Sequence, residues 1–193
     1  MSKSIKSRRS FFSKMLVAGV GGVSLFTNTA NAKGGKGGKG KAVLTDHQKD
    51  ELFFIYQEEK LARDVYITLG KLYPRENTFA SIQLSEQRHI DAAQGLCEKY
   101  DIDISDVNED EIGNFKLPVL QDLYDNLVIQ GRETLYDALG VGVFIEELDI
   151  NDLTEAIENM DMPSDVVNVY ENLREGSYNH LEAFEGALIR VTE

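Results

Sequence analysis

The sequence predicts an all-α domain, an antiparallel four-helix bundle with one long crossover that carries an extra short helix. Three observations predict it. Four long stretches repeat their apolar residues at spacings of three and four, the period of a helix with one buried face. No stretch shows the strict alternation of a half-buried strand. Connections are short within the first and second helix pairs, and about thirty residues long between the pairs, which is the connectivity of two hairpins joined by a crossover.

The first helix is expected from Thr45 to Lys71, with Thr45 or Asp46 as N-cap and Pro74 beyond its end. The second runs from Asn77 or Thr78 to Tyr100, and a polar stretch, Asp101 to Asn114, follows. A short helix spans Pro118 to Gln130, with proline in its first turn and Gly131 just past its end. The third long helix covers Glu133 to Asn159, and the fourth runs from Ser164 to Val191, with Pro163-Ser164 as its start signal. The bundle domain is thus 45–193.

What precedes it reads differently. Residues 1–32 begin with basic residues and no acid, pass through an apolar, glycine-rich run from Met15 to Phe26, and close on Ala30-Asn31-Ala32. The run is too short to span a membrane, and the small residues suit a signal peptidase, so the mature chain is expected to have no spanning segment. Ser7-Arg8-Arg9-Ser10-Phe11-Phe12-Ser13-Lys14 resembles a twin-arginine export signal, which implies an exported protein, periplasmic or extracellular. Residues 33–44 contain a glycine- and lysine-rich run that holds neither helix nor strand and reads as a flexible linker.

All 33 acidic residues lie in 42–193 with only 11 of the 20 basic ones, a net charge of −22 that favours cations and argues against nucleic acid. A single cysteine, Cys97, excludes an internal disulfide and any cysteine-based metal site within one chain.

Helical wheels place metal-capable residues on the inner stripes. In the second helix Phe79, Ile82, Glu86, His89, Ala93, Leu96 and Tyr100 share one face, with a carboxylate and an imidazole one turn apart at its middle. The first helix sets Ile55, Ala62, Tyr66 and Leu69 inward, with Glu59 at one edge of that face and Glu58 at the other. The third places Glu146 within a stripe of Val143, Ile150, Leu153 and Ile157; Asp149 borders it and Glu147 points away. The fourth carries Tyr170, Leu173, Ser177, His180, Phe184 and Leu188. His47, near the start of the first helix, reads as solvated. Glu59, Glu86, His89, Glu146 and His180 are therefore the candidate metal ligands, with Asp149, Ser177, Glu58 and Glu147 as flanking members. Carboxylate oxygen mixed with imidazole nitrogen suits iron, manganese or zinc.

The stretches Glu58–Tyr66, Ser85–Ala92, Ile145–Leu153 and Gly176–Phe184 resemble the family DUF2202 of the ferritin-like superfamily, and the resemblance spans about residues 46–190. It implies an antiparallel bundle with a di-iron centre. Glu59, Ala62 and Tyr66 match the Glu-x-x-Ala-x-x-x-Tyr pattern of rubrerythrin-like proteins, Glu86 and His89 the first Glu-x-x-His, and Glu146 with Asp149 the acids of the third helix. The departure lies in the fourth helix, where Ser177-Tyr178-Asn179-His180 stands in place of a second Glu-x-x-His, so one bridging carboxylate is missing. Asp149 compensates, or one ion is held tightly and the other weakly, or the site is a metal-free remnant. Three functions follow. One is an exported metal-binding protein, redox active if it meets O₂ or peroxide. Another is a di-iron or di-manganese oxidase or peroxidase. The last is a metal-free helical interaction module. None of these excludes a homo-oligomer.

Overall fold

The computed structural model describes residues 42–192, and Leu44–Glu193 forms one compact unit. The export signal expected at 1–32 and residues 33–41 of the linker lie outside the described residues. Leu44, the last residue of the expected linker, is buried.

The described residues form five helices and no strand: α1 Asp46–Leu72, α2 Asn77–Lys99, α3 Pro118–Gly131, α4 Leu135–Asn159 and α5 Ser164–Thr192. Thr45 caps α1 in a reciprocal box, its hydroxyl accepting from Gln48 N while Gln48 Oε1 accepts from Thr45 N at 2.8 Å. Thr134 caps α4 by accepting from Asp137 N. Gly131 is the last residue of α3 rather than the residue after it, and its carbonyl accepts from Tyr73 Oη at 3.1 Å. No helix among the described residues is long and apolar enough to cross a membrane.

The packing partners follow from particular contacts. Cys97, late in α2, lies against Leu52, early in α1, whereas Gly70, late in α1, meets Phe79 at the start of α2. These two helices therefore run antiparallel. In the same way α4 and α5 pair through Gly142 against Phe184, Asp149 against Ser177 and Thr154 against Arg174. Tyr66 meets Glu146 and Gln48 meets Met160, which sets α1 antiparallel to α4. Tyr100 reaches Asp165 and Arg190 reaches Glu76, which does the same for α2 and α5. Helix α3 packs on α1 and α4.

Two wheel readings need correction. On α4 Glu146 and Leu153 are buried as expected, together with Ala138, Leu139, Val141, Gly142, Ile145, Leu148, Asp149, Asp152 and Ala156, whereas Val143, Ile150 and Ile157 are only half-buried. Flanked by α1, α3 and α5, α4 buries more than one stripe, and Gly142 sits directly against the Phe184 ring. On α5 Ala187 is buried where Leu188 was expected, since a period of 3.6 drifts off a strict three-four count over several turns.

Helix α1 is buried almost all round, from Phe54 to Tyr66 without a break. Its outer side is covered by the crossover. Tyr56 Oη donates to Glu109 Oε1 at 2.7 Å, Lys60 Nζ to the carbonyl of Glu111 at 2.9 Å, and Lys116 N to Gln57 Oε1 at 3.0 Å. Gly113 turns the chain with φ +78°, and a Cβ there would lie 2.6 Å from the Tyr124 ring, so glycine is required on both counts.

Candidate metal centre

The second helix supplies two donors because positions three apart lie on one face. Both Glu86 and His89 are buried mid-helix and look toward α5, where His180 is buried at the matching height. Ligand atoms of Glu86, His89 and His180 all lie within 4.8 Å of one another. The two imidazoles stack with centroids 5.2 Å apart. Glu86 stands between them: its Oε2 is 2.9 Å from His89 Nδ1 and its Oε1 is 2.7 Å from His180 Nδ1.

Each imidazole also meets a second carboxylate. His89 Nδ1 lies 3.2 Å from Glu59 Oε2 on α1, and His180 Nδ1 lies 3.5 Å from Glu146 Oε2 on α4. The chain of contacts therefore reads Glu59, His89, Glu86, His180, Glu146, with Glu86 shared by two like halves. These five residues come together. Asp149 and Ser177 flank them, Ser177 Oγ donating to Asp149 Oδ2 at 2.5 Å. Glu58 is buried as well, but Glu59 is the one that reaches His89, which resolves the ambiguity of the wheel. Glu147 is exposed and is not brought to the cluster, because it points to the polar side of α4. His47 is exposed too.

Protons alone satisfy this arrangement poorly. An imidazole Nδ1 carries at most one proton, yet each here faces two carboxylates. His180 Nδ1 and Glu86 Oε1 are close but not aligned as a hydrogen bond, and Glu59 Oε1 and Asp149 Oδ1 are buried without hydrogen-bond partners. A buried polar atom without a partner is costly. Two ligands about 2.1 Å from one divalent ion stand roughly 3.0–3.4 Å apart at right or tetrahedral angles. The donor separations of 2.7–3.5 Å bracket that range. The residues fit a metal.

Electrostatics point the same way. Burial pulls the His89 imidazolium down, but Glu59 and Glu86 overcome it and lift it to about 11. For His180 the same burial is outweighed by Glu146 and Glu86, and the value rises to about 10. Glu86 is pushed down to about 2, because the two imidazoles outweigh its burial. Burial raises Glu59 to about 7 against the pull of His89, and raises Glu146 to about 7 with the charge of Glu86 adding to it. Asp149 is raised well above its ordinary value by burial and by the charges of Glu59, Glu146 and Glu86. With all four acids ionised, two imidazolium groups would not balance them, which is why burial and mutual repulsion raise Glu59, Glu146 and Asp149 toward their neutral forms.

Two residues of the site escaped the sequence reading. Gly176 packs under His89, and a Cβ there would lie 2.5 Å from His89 Nε2, so the ring keeps its place only over glycine. A glycine inside a long helix, costing about 1 kcal/mol against alanine, was the available signal. Tyr66 was read as inward, but its role was not. Its hydroxyl donates to Glu146 Oε1 at 2.5 Å, leaving Oε2 to face His180. The Tyr66 ring packs 5.0 Å from Phe184, itself 5.5 Å from Phe79, so three aromatic rings close the cluster off on that side.

Residues 48–190 match the family profile described as an uncharacterized protein domain, DUF2202. An uncharacterized protein of Methanocaldococcus jannaschii, MJ0754, is 44% identical over 144 residues, covering 75% of this chain and 76% of its own length. The crystal structure of the hypothetical protein MJ0754 from Methanococcus jannaschii is similar with a TM-score of 0.75 at 40% identity, covering 81% of this chain and 88% of that one. The chain is thus an all-helical protein with a buried carboxylate–imidazole cluster. It belongs to the DUF2202 family.

Proposed function

We propose that the four long helices form a ferritin-like bundle whose core holds two metal ions, with iron as the resident metal, and that the protein is exported. The observation that carries this reading is the sharing of Glu86: each of its oxygens sits at one imidazole, and each imidazole has a further carboxylate of its own. Glu59, His89 and Glu86 would hold one ion; Glu86, His180 and Glu146 would hold the other. The antiparallel contacts of α1 with α2 and α4, and of α5 with the same two, support the bundle. Carboxylate oxygen with imidazole and no thiolate suits iron, manganese or zinc rather than copper in a thiolate site. Bound iron or manganese would supply electron transfer to O₂ or peroxide.

The protein's own part is to bind, orient and exclude water. His89 and His180 must each surrender a proton for Nδ1 to bind an ion, so binding is coupled to proton release. Tyr66 fixes which oxygen of Glu146 is free. The aromatic rings of Tyr66, Phe79 and Phe184 keep one side dry.

Metal analysis of the full chain, purified without chelators, tests the reading together with the variant His89→Ala/His180→Ala. The parent should carry close to two ions per chain and the variant none. Equal metal in both would mean that the imidazoles are structural. Export has its own test: changing Arg8 and Arg9 to lysine should trap precursor in the cytoplasm, and unchanged export would refute the twin-arginine route.

A further inference from the structure

We propose that Asp149, held in place by the Ser177 hydroxyl, is the carboxylate that completes the centre, taking the part that a glutamate on α5 would otherwise play. This rests on the two-ion reading above. Helix α2 gives that centre two donors one turn apart, but α5 gives only His180, and the residue one turn before it is Ser177. The hydroxyl of Ser177 is too short to reach an ion shared with His180. It reaches α4 instead, where its Oγ lies 2.5 Å from Asp149 Oδ2, with the Leu173 carbonyl 3.0 Å away.

Three observations make this pair more than a packing contact. Asp149 follows Glu146 by three residues, so both leave the same face of α4. Asp149 is 4% exposed, its Oδ2 is taken by Ser177, and its Oδ1 has no hydrogen-bond partner in the protein. An apolar core does not leave a carboxylate oxygen so, whereas an ion would take it. Finally, the charges that act on Asp149 most strongly are those of Glu59, Glu146 and Glu86, three of the carboxylates assigned to the two ions. Asp149 thus feels acids assigned to both ions. Glu59 Oε1 and Glu86 Oε1 are also buried and without a hydrogen bond. The aspartate approaches from α4, beside the α5 position that serine occupies.

Ser177 is then a positioning residue and Asp149 a ligand. The test is anaerobic titration of the metal-stripped full chain with Fe(II), following the number and tightness of bound ions, beside thermal melting without metal. The expected result is two ions on the parent. Asp149→Asn, which keeps the shape and a hydrogen-bonding partner for Ser177, should keep one tight ion and weaken the other by about tenfold or more. Ser177→Ala should weaken that same ion by a smaller factor. Without metal, Asp149→Asn should melt no lower than the parent, because burial already disfavours the charged form of Asp149 and the amide is its neutral counterpart. Two ions bound by Asp149→Asn as tightly as by the parent would overturn the proposal and leave the two-ion reading intact, as would a lower melting temperature without metal combined with unchanged binding. Unchanged binding by Ser177→Ala would remove Ser177 from the assignment. A parent that binds no ion would overturn this proposal and the two-ion reading together.

Discussion

Glu59 and Lys60 are neighbours in sequence, and both are buried, yet they enter two polar clusters of opposite character. Lys60 turns to the outer side of α1. There it joins Asp64 at 2.6 Å, while Asp64 accepts four hydrogen bonds in all, from Lys60, twice from Arg63, and from Gly113 N. Lys60 spends its other protons on the carbonyls of Glu111 and Asn114, and Arg63 also reaches Gln87 and the carbonyl of Glu109. Two cations share one carboxylate and the remaining donors find carbonyl and amide oxygens, so this cluster is held by the protein alone, and its work is to fasten the crossover to α1. Glu59 turns inward, to a cluster with more carboxylates than cations and with oxygens left open. The contrast teaches that burial of charge does not by itself mark a functional site. Incompleteness does. Where the sequence supplies its own counter-charge the result is a fastening, and where it withholds one the result is a place for a ligand.

The largest expected effect breaks the fastening. Asp64→Ala leaves Lys60 and Arg63 buried without their carboxylate and should lower stability by about 3–5 kcal/mol, with or without metal. Denaturant unfolding measures it. Glu59→Gln, one residue from Lys60, should do the reverse in the metal-free protein. Glu59 is raised to about 7, so at pH 8 its ionised form weakens the fold, and removing that charge should raise stability by about 1–3 kcal/mol. Equal losses from both variants would erase the distinction between the clusters.

A second test uses pH. Glu59 and Glu146 have raised values near 7, so their contribution to stability is full below their unfolded value and is lost as pH rises through 7. The imidazoles are also raised, and theirs is lost only as pH rises through about 10 to 11. Glu86 is depressed, so its contribution is present above its unfolded value and is lost as pH falls toward 2. The metal-free protein should therefore melt lower at pH 8 than at pH 6. Metal neutralises the same acids, so the gain in melting temperature on adding metal should be larger at pH 8. A gain that shrinks with pH over this range would contradict the charge deficit.

The smallest effect sharpens the geometry. Gly176→Ala places a methyl group against His89 Nε2 and must shift the ring. Metal affinity should fall by about tenfold while the fastening at Lys60 is untouched, which titration and thermal melting separate.

How much of this the sequence disclosed follows the same division. The α2 and α5 stripes were legible because each packs one face inward, so helical period and burial coincide. Glu86, His89 and His180 could be read from spacing alone. The outer side of α1 was not legible. Lys60, Arg63 and Asp64 have the look of a solvated face, and only the crossover, whose path has no periodic signal, makes them buried. For the same reason the wheel left Glu58 and Glu59 unresolved: α1 has no dry face and wet face to tell apart. On α4 the buried residues include Ala138, Gly142 and Ala156, which a search for large apolar residues passes over.

The central claim is that the inward cluster is a centre for two ions that share Glu86. Anomalous diffraction from crystals of the full chain loaded with Fe(II) or Mn(II) under anaerobic conditions tests it most directly. The account predicts two peaks, one beside His89 and Glu59, the other beside His180 and Glu146, with an oxygen of Glu86 at each. No peak at the cluster, or a single peak with Glu86 turned away from one imidazole, would contradict it.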